Sequence, residues 1–166
     1  AWRVSVVSAP VAGPTDSSLF GLRVRSEVEL PVLFPAIGAG QPDVTIQLGV
    51  IEERAPPGRV VQPIEGGLLF AIKDSGRYRV RGGRDIMVEP AAGVPERNVR
   101  LYLLGSVFGA LLHQRGLLPL HANAVQLGDK AVGFMGESGS GKSTLAAWFH
   151  DRGYPIMADD VCVVRF

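Results

Sequence analysis

Ala131-Val132-Gly133-Phe134-Met135-Gly136-Glu137-Ser138-Gly139-Ser140-Gly141-Lys142-Ser143-Thr144 is the stretch that decides how this chain is read. Its first five residues form a short apolar run with the length of a buried strand. The remainder matches the phosphate-loop pattern G-x-x-x-x-G-K-[ST] in full. Glycines let the backbone curl until several N–H groups face inward at phosphate oxygens. The helix expected from about Lys142 to near Gly153 adds the partial positive charge of its N-terminus. The segment Leu145 to Phe149 is amphipathic, as a helix packed on a sheet requires. A glycine loop that only caps a helix is the bland alternative, and the strand before it and the helix after it weigh against that.

The expected ligand is therefore a nucleoside triphosphate, ATP with Mg²⁺, held by Gly136, Glu137, Ser138, Gly139, Ser140, Gly141, Lys142, Ser143 and Thr144. Lys142 would reach the β- and γ-phosphates, and the Ser143 hydroxyl would ligate Mg²⁺. Thr144 has a supporting role at most.

Downstream, Asp159-Asp160 lies between two short apolar runs, Pro155 to Ala158 and Val161 to Val164. Carboxylates inside a buried strand are unfavourable unless they meet a cation or hydrogen-bond donors. One strand from about 155 to 164 would point the two in opposite directions. One would then serve Mg²⁺ and the other would accept a proton from an attacking hydroxyl. Two aspartates at a strand end or a helix cap are the plain alternative; the phosphate loop shifts the balance toward a site. Upstream, His121 stands on a strand expected from Leu118 to Leu127, before a Gly128-Asp129 turn. A lone histidine there is more often a satisfied core residue. Beside the strand that delivers the loop, it can stabilise transferring phosphoryl charge. His113 and His150 fall on expected helices and have no such context.

Together these features resemble the catalytic domain of HPr kinase/phosphorylase. That family shows a histidine strand, a hairpin, a phosphate loop, a helix ending in Arg-Gly, and an Ala-Asp-Asp strand. Here they are His121, Gly136 to Ser143, Arg152-Gly153 and Ala158-Asp159-Asp160, with Lys142 and Asp159 seventeen positions apart. The resemblance covers roughly Leu118 to Val164. It implies a mixed-sheet α/β core akin to phosphoenolpyruvate carboxykinases, and an ATP- and Mg²⁺-dependent kinase acting on a serine. It also implies that His121 and Lys142 are active-site groups, Asp160 the proton acceptor, and Asp159, with Ser143, the support of the metal. Phe20 to Gly116 is more similar to the β-rich leader of HPr-kinase-like proteins in lasso-peptide gene clusters, some of which phosphorylate a precursor peptide. Thr144 stands where HPr kinases usually carry an acidic residue. The family's catalytic domain continues past the Asp-Asp strand, so the expected core is truncated at its C-terminal side.

The first hundred residues read as β-rich. Val4 to Val7, Leu19 to Leu30, Val44 to Ile51, Leu68 to Ile72, Arg77 to Val80 and Asp85 to Val88 carry strand character, with turns at Asp74-Ser75-Gly76 and Gly82-Gly83. Alternation sets Arg77, Arg79 and Arg81 on one face, expected to be solvated rather than a ligand site. A helix follows from about Val99 to Gln114, capped by Asn98 and ended by Gly116, with Leu101, Leu104, Phe108, Leu111 and Leu112 at helical spacing. The expected organisation is a β-rich domain over 1–97 and the first part of a phosphate-loop catalytic domain over 98–166.

With 46% hydrophobic and 20% charged residues, the chain is globular rather than disordered. A net charge of +1 gives no basic field for nucleic acid. Cys162, the single cysteine, excludes an internal disulfide and a cysteine zinc cluster, and suits the cytoplasm. The apolar run Leu101 to Leu112 is too short to span a membrane. The expected partner is a protein or peptide bearing a serine, and a homo-oligomer is compatible. Two other function classes stand beside the kinase: a nucleotide-binding regulatory module or fragment without catalysis, and an ATPase motor or transporter subunit, whose signature motif is not seen.

Overall fold

The structure, a computed structural model, describes residues 15–56 and 60–165. It is an α/β fold with a large mixed sheet and few helices. Eight strands form the large sheet: β1 (Thr15–Leu19), β2 (Leu22–Ser26), β3 (Phe34–Pro35), β4 (Val44–Leu48), β5 (Val61–Ile64), β6 (Gly67–Ile72), β7 (Gly76–Arg81) and β8 (Asp85–Pro90). They are ordered β3-β1-β2-β4-β8-β7-β6-β5. The expected meander of β6, β7 and β8 is present, with antiparallel register Phe70↔Tyr78 and Tyr78↔Val88. The expected strand Leu19 to Leu30 is instead a hairpin turning at Phe20-Gly21, where both residues have positive φ. The short strands β3 and β5, and the parallel pairing of β4 with both β2 and β8, lie beyond what local patterning specifies. Val4 to Val7 falls outside the described residues.

Alternation gives the sheet two faces of different chemistry. Leu22, Val24, Val44, Ile46, Tyr78, Val80, Ile86 and Val88 are buried on one. A helical rod covers it: α1 (Glu96–Tyr102), a π turn (Leu103–Val107) and α2 (Phe108–Gln114). Val99, Leu103, Val107 and Leu111 recur every four residues and are all buried. A four-residue repeat outruns the 3.6-residue α turn, and one wider π turn brings it back onto the same face. That turn also explains why Leu101, expected in the buried stripe, is 68% exposed. The rod starts earlier than expected, at Glu96 after Pro95. Asn98 is therefore not the cap; it lies inside the first turn and donates Nδ2 to the Asp74 carbonyl at 3.3 Å. Gly116 closes the rod with a φ of +73°, the left-handed geometry glycine tolerates.

On the other face the arginines are paired rather than merely solvated. Arg79 and Arg81 both reach the Glu53 carboxylate, and Arg77 bonds Glu89 and the carbonyls of Ile51 and Glu53. A hydrogen bond donated to the carboxylate by its own backbone N–H, together with the neighbouring Arg79 and Arg81, holds Glu53 below the usual carboxylate range. The Ile51 N–H does the same for Glu89, with help from Arg77. Where the sheet meets the rod, the buried Tyr78 hydroxyl bonds Ser75 and donates to the Val99 carbonyl at 3.2 Å.

The second layer is smaller. It contains β9 (Leu118–Leu120), β10 (Ala122–Leu127), β11 (Lys130–Met135), α3 (Lys142–His150), β12 (Ile156–Ala158) and β13 (Cys162–Val164). One sheet has the order β11-β10-β12, and β13 pairs with β9 in a second. The expected Gly128-Asp129 turn joins β10 to β11, with Gly128 at φ +63° and Leu127 opposite Lys130. α3 buries Ala146 and stacks Phe149 on Phe134, with centroids 5.5 Å apart. Leu117 and Val163 pack against the main core and tie the two layers together. Among the described residues, no helix is long and apolar enough to cross a membrane.

Two outcomes follow for stability. Glu53 and Glu89 sit below their free-chain value of 4.5, so folding favours their charged forms. That contribution is present above pH 4.5 and is lost as pH falls through the lowered folded values. Denaturant titrations from pH 7 to 3 will show falling stability, and Glu53→Gln will lower stability at pH 7 and flatten the fall. Tyr78→Phe, which removes a buried hydrogen-bonding hydroxyl, will destabilise the chain by about 1 kcal/mol in urea unfolding.

Candidate functional site

The glycine-rich loop leaves β11 at Met135 and enters α3 at Lys142. Glu137 to Ser140 form a tight turn closed by Ser140 N–H to the Glu137 carbonyl at 3.2 Å. Gly139, its third residue, has φ +82°, as a type II turn demands. Gly141 sits at the helix N-cap with φ +89° and ψ +11°, a conformation other residues adopt only with strain. At Gly136 a Cβ would stand 2.6 Å from the Oγ of the exposed Ser140, so a side chain there would force that hydroxyl to turn aside.

Lys142 is the buried member of this loop, only 8% exposed. Its Nζ donates to the carbonyls of Gly136 at 2.9 Å and Glu137 at 3.0 Å. An ammonium has three N–H donors. Two of them brace the loop from inside, and the third is unengaged among the described residues. Ser143 and Thr144 follow on the first turn of α3 and are exposed, as are the loop residues Glu137, Ser138, Gly139 and Ser140.

The strands expected at 118–127 and 155–164 both break, and the breaks face each other. The first divides at His121 into β9 and β10. The second divides at Asp159-Asp160 into β12 and β13, so the aspartates lie in a bend rather than inside a strand. The alternation argument for their opposite directions therefore does not hold. Pairing of β9 with β13 and of β10 with β12 forces the two interruptions to coincide. His121 is exposed, and its Nδ1 lies 3.0 Å from the Asp160 backbone carbonyl. Asp160 has a φ of +68°, uncommon for a residue other than glycine. Its exposed carboxylate is free of hydrogen bonds to the described residues.

Asp159 has a different environment. The Asn123 Nδ2 donates to its Oδ1 at 2.7 Å, a charge-assisted bond, and also lies 3.4 Å from the Ser143 Oγ. One amide therefore joins the end of the phosphate loop to the acidic bend. Sequence reasoning passed over Asn123. Its signal was present: an asparagine between alanines on an apolar strand needs a polar partner when buried.

No family model, no curated protein and no solved structure matches this chain.

The donors present suit a hard, hydrated cation. Among the described residues there is no group of three or more His, Cys, Asp or Glu that could hold a metal ion. Magnesium needs no such group, since it keeps several waters and takes one or two protein ligands plus phosphate oxygens. Ser143 and Asp159, linked through Asn123, would supply that kind of partial shell. Asp159 and Asp160 stand at the edge of a cleft of about 1170 Å³, walled by Leu101, Leu104, Leu117 and Met157. A second cavity of about 670 Å³ reaches His121 between α2 and β9.

Gly141→Ala will place a Cβ on a left-handed residue and will cost about 1–2 kcal/mol in thermal or urea unfolding. The same change at Gly105, which has negative φ and open space around its Cβ position, will be far milder.

Proposed function

We propose that the chain binds ATP with Mg²⁺ on the loop from Gly136 to Thr144 and transfers the γ-phosphoryl group to a serine hydroxyl of a protein or peptide, in the manner of the HPr-kinase-like family. The observation that carries the reading is the braced loop. A buried ammonium, positive-φ glycines and a helix N-terminus converge on one small volume, a combination suited to polyphosphate oxygens.

The roles of the other residues follow from their surroundings. Ser143 and Asp159 would hold the cation, whose charge would offset that of the phosphate oxygens. Asp160 carries an unengaged carboxylate at the cleft and accepts the hydroxyl proton as the serine oxygen attacks phosphorus. The bond to the β–γ bridging oxygen breaks as the new P–O bond forms, and ADP leaves. Lys142 and His121 stabilise charge on the transferring group. The open cleft beside the aspartates gives an acceptor segment room to approach. The lone cysteine and the HPr-kinase-like reading favour the cytoplasm.

Two substitutions test this. Lys142→Ala will abolish measurable ATP affinity in calorimetry, and unchanged affinity would overturn the nucleotide reading. Asp160→Asn will leave ATP affinity within about twofold and reduce phosphoryl transfer to a serine peptide by at least a hundredfold, the usual scale for a general base. Equal transfer by the two proteins would show that Asp160 has no chemical role, and binding of ATP with no transfer by the unaltered chain would instead identify a nucleotide-binding module.

A further inference from the structure

Asn123 is the most buried polar side chain near the loop, 1% exposed, and it is only half satisfied. Its Nδ2 faces two acceptors, Asp159 Oδ1 and Ser143 Oγ. That pairing fixes the amide's orientation, because the reverse would set its carbonyl oxygen against a carboxylate. The Oδ1 is then left buried with no hydrogen-bond partner among the described residues. A buried carbonyl without a donor is destabilising, so it calls for a ligand or water to complete it.

The topology sets this position. β10 lies between β11 and β12, so a side chain on it can meet both the helix that follows β11 and the bend that follows β12. Asn123 uses that place to touch one group from each.

We propose that Asn123 is a positioning residue for the divalent cation. Its two N–H donors fix the Ser143 hydroxyl and the Asp159 carboxylate in the relative arrangement that receives a hydrated Mg²⁺, and its Oδ1 accepts a hydrogen bond from one of the waters the cation retains. This rests on the nucleotide reading above and extends it. Donation from Asn123 leaves Ser143 one lone pair and Asp159 its second oxygen for the metal. Partners that orient metal ligands in this way typically change metal affinity by about ten- to a hundredfold when removed.

Calorimetric ATP titrations with Mg²⁺ and with EDTA, on the whole chain, test the assignment. Asn123→Leu keeps the branched shape and heavy-atom count, is somewhat larger, and removes the donors and the acceptor. It will reduce the Mg²⁺-dependent gain in ATP affinity by about tenfold or more and leave affinity in EDTA within about twofold. Asn123→Ser, smaller and able to donate one hydrogen bond, will lose less, and it keeps the test independent of how the leucine variant folds. With Asp159→Ala in the background, Asn123→Leu will produce little further loss, because the two changes act on one arrangement. Equal loss with and without Mg²⁺, or fully additive losses, would show a purely structural asparagine and overturn the proposal. A wild-type chain whose ATP affinity ignores Mg²⁺ would instead remove the metal reading itself.

Discussion

Strand β10 is hydrogen-bonded along both edges, to β11 on one side and β12 on the other, and this double pairing decides where polar chemistry can gather. A strand held on both sides has no free backbone groups to offer a ligand. What it can offer is side chains at its end, where the ladder stops. β10 stops at His121, and the strand it pairs with stops at Asp159. The loop from β11 enters α3 beside the same place, so three chain segments that are far apart in sequence converge on one amide, that of Asn123.

The parts that were legible in the sequence are those governed by neighbours along the chain. The glycine loop, the Gly128-Asp129 turn, the β6 to β8 meander and the end of the rod at Gly116 each depend on a few adjacent residues with fixed backbone demands. The parts that were hidden depend on partners remote in sequence. Nothing around Val44 announces that it will lie parallel to Val24. Nothing local splits Leu118 to Leu127 at His121, since the break is imposed by the opposing bend. The π turn emerged only because residues spaced by four must all face one sheet. The site was readable as a set of candidates; the bond that joins Asp159 to Ser143 was not, because it passes through a residue read as part of an apolar strand.

The large sheet makes the complementary point about charge. Arg77, Arg79 and Arg81 read as a plain alternating stripe, yet each is engaged, two of them by a single Glu53 from a segment that crosses the sheet. One shared carboxylate orders several long side chains, and the face becomes a cross-braced surface rather than an open basic patch. The glycine-rich loop, by contrast, carries a single cation, Lys142.

The lysine of that loop has a double duty. Its ammonium fastens the Gly136 and Glu137 carbonyls and keeps a third N–H unengaged among the described residues. The fastener and the loop's positive charge are thus one group. The curvature of the loop and its charge cannot be tuned separately: a residue that kept the charge but spread it over a planar group would release the carbonyls, and a neutral residue would surrender both at once.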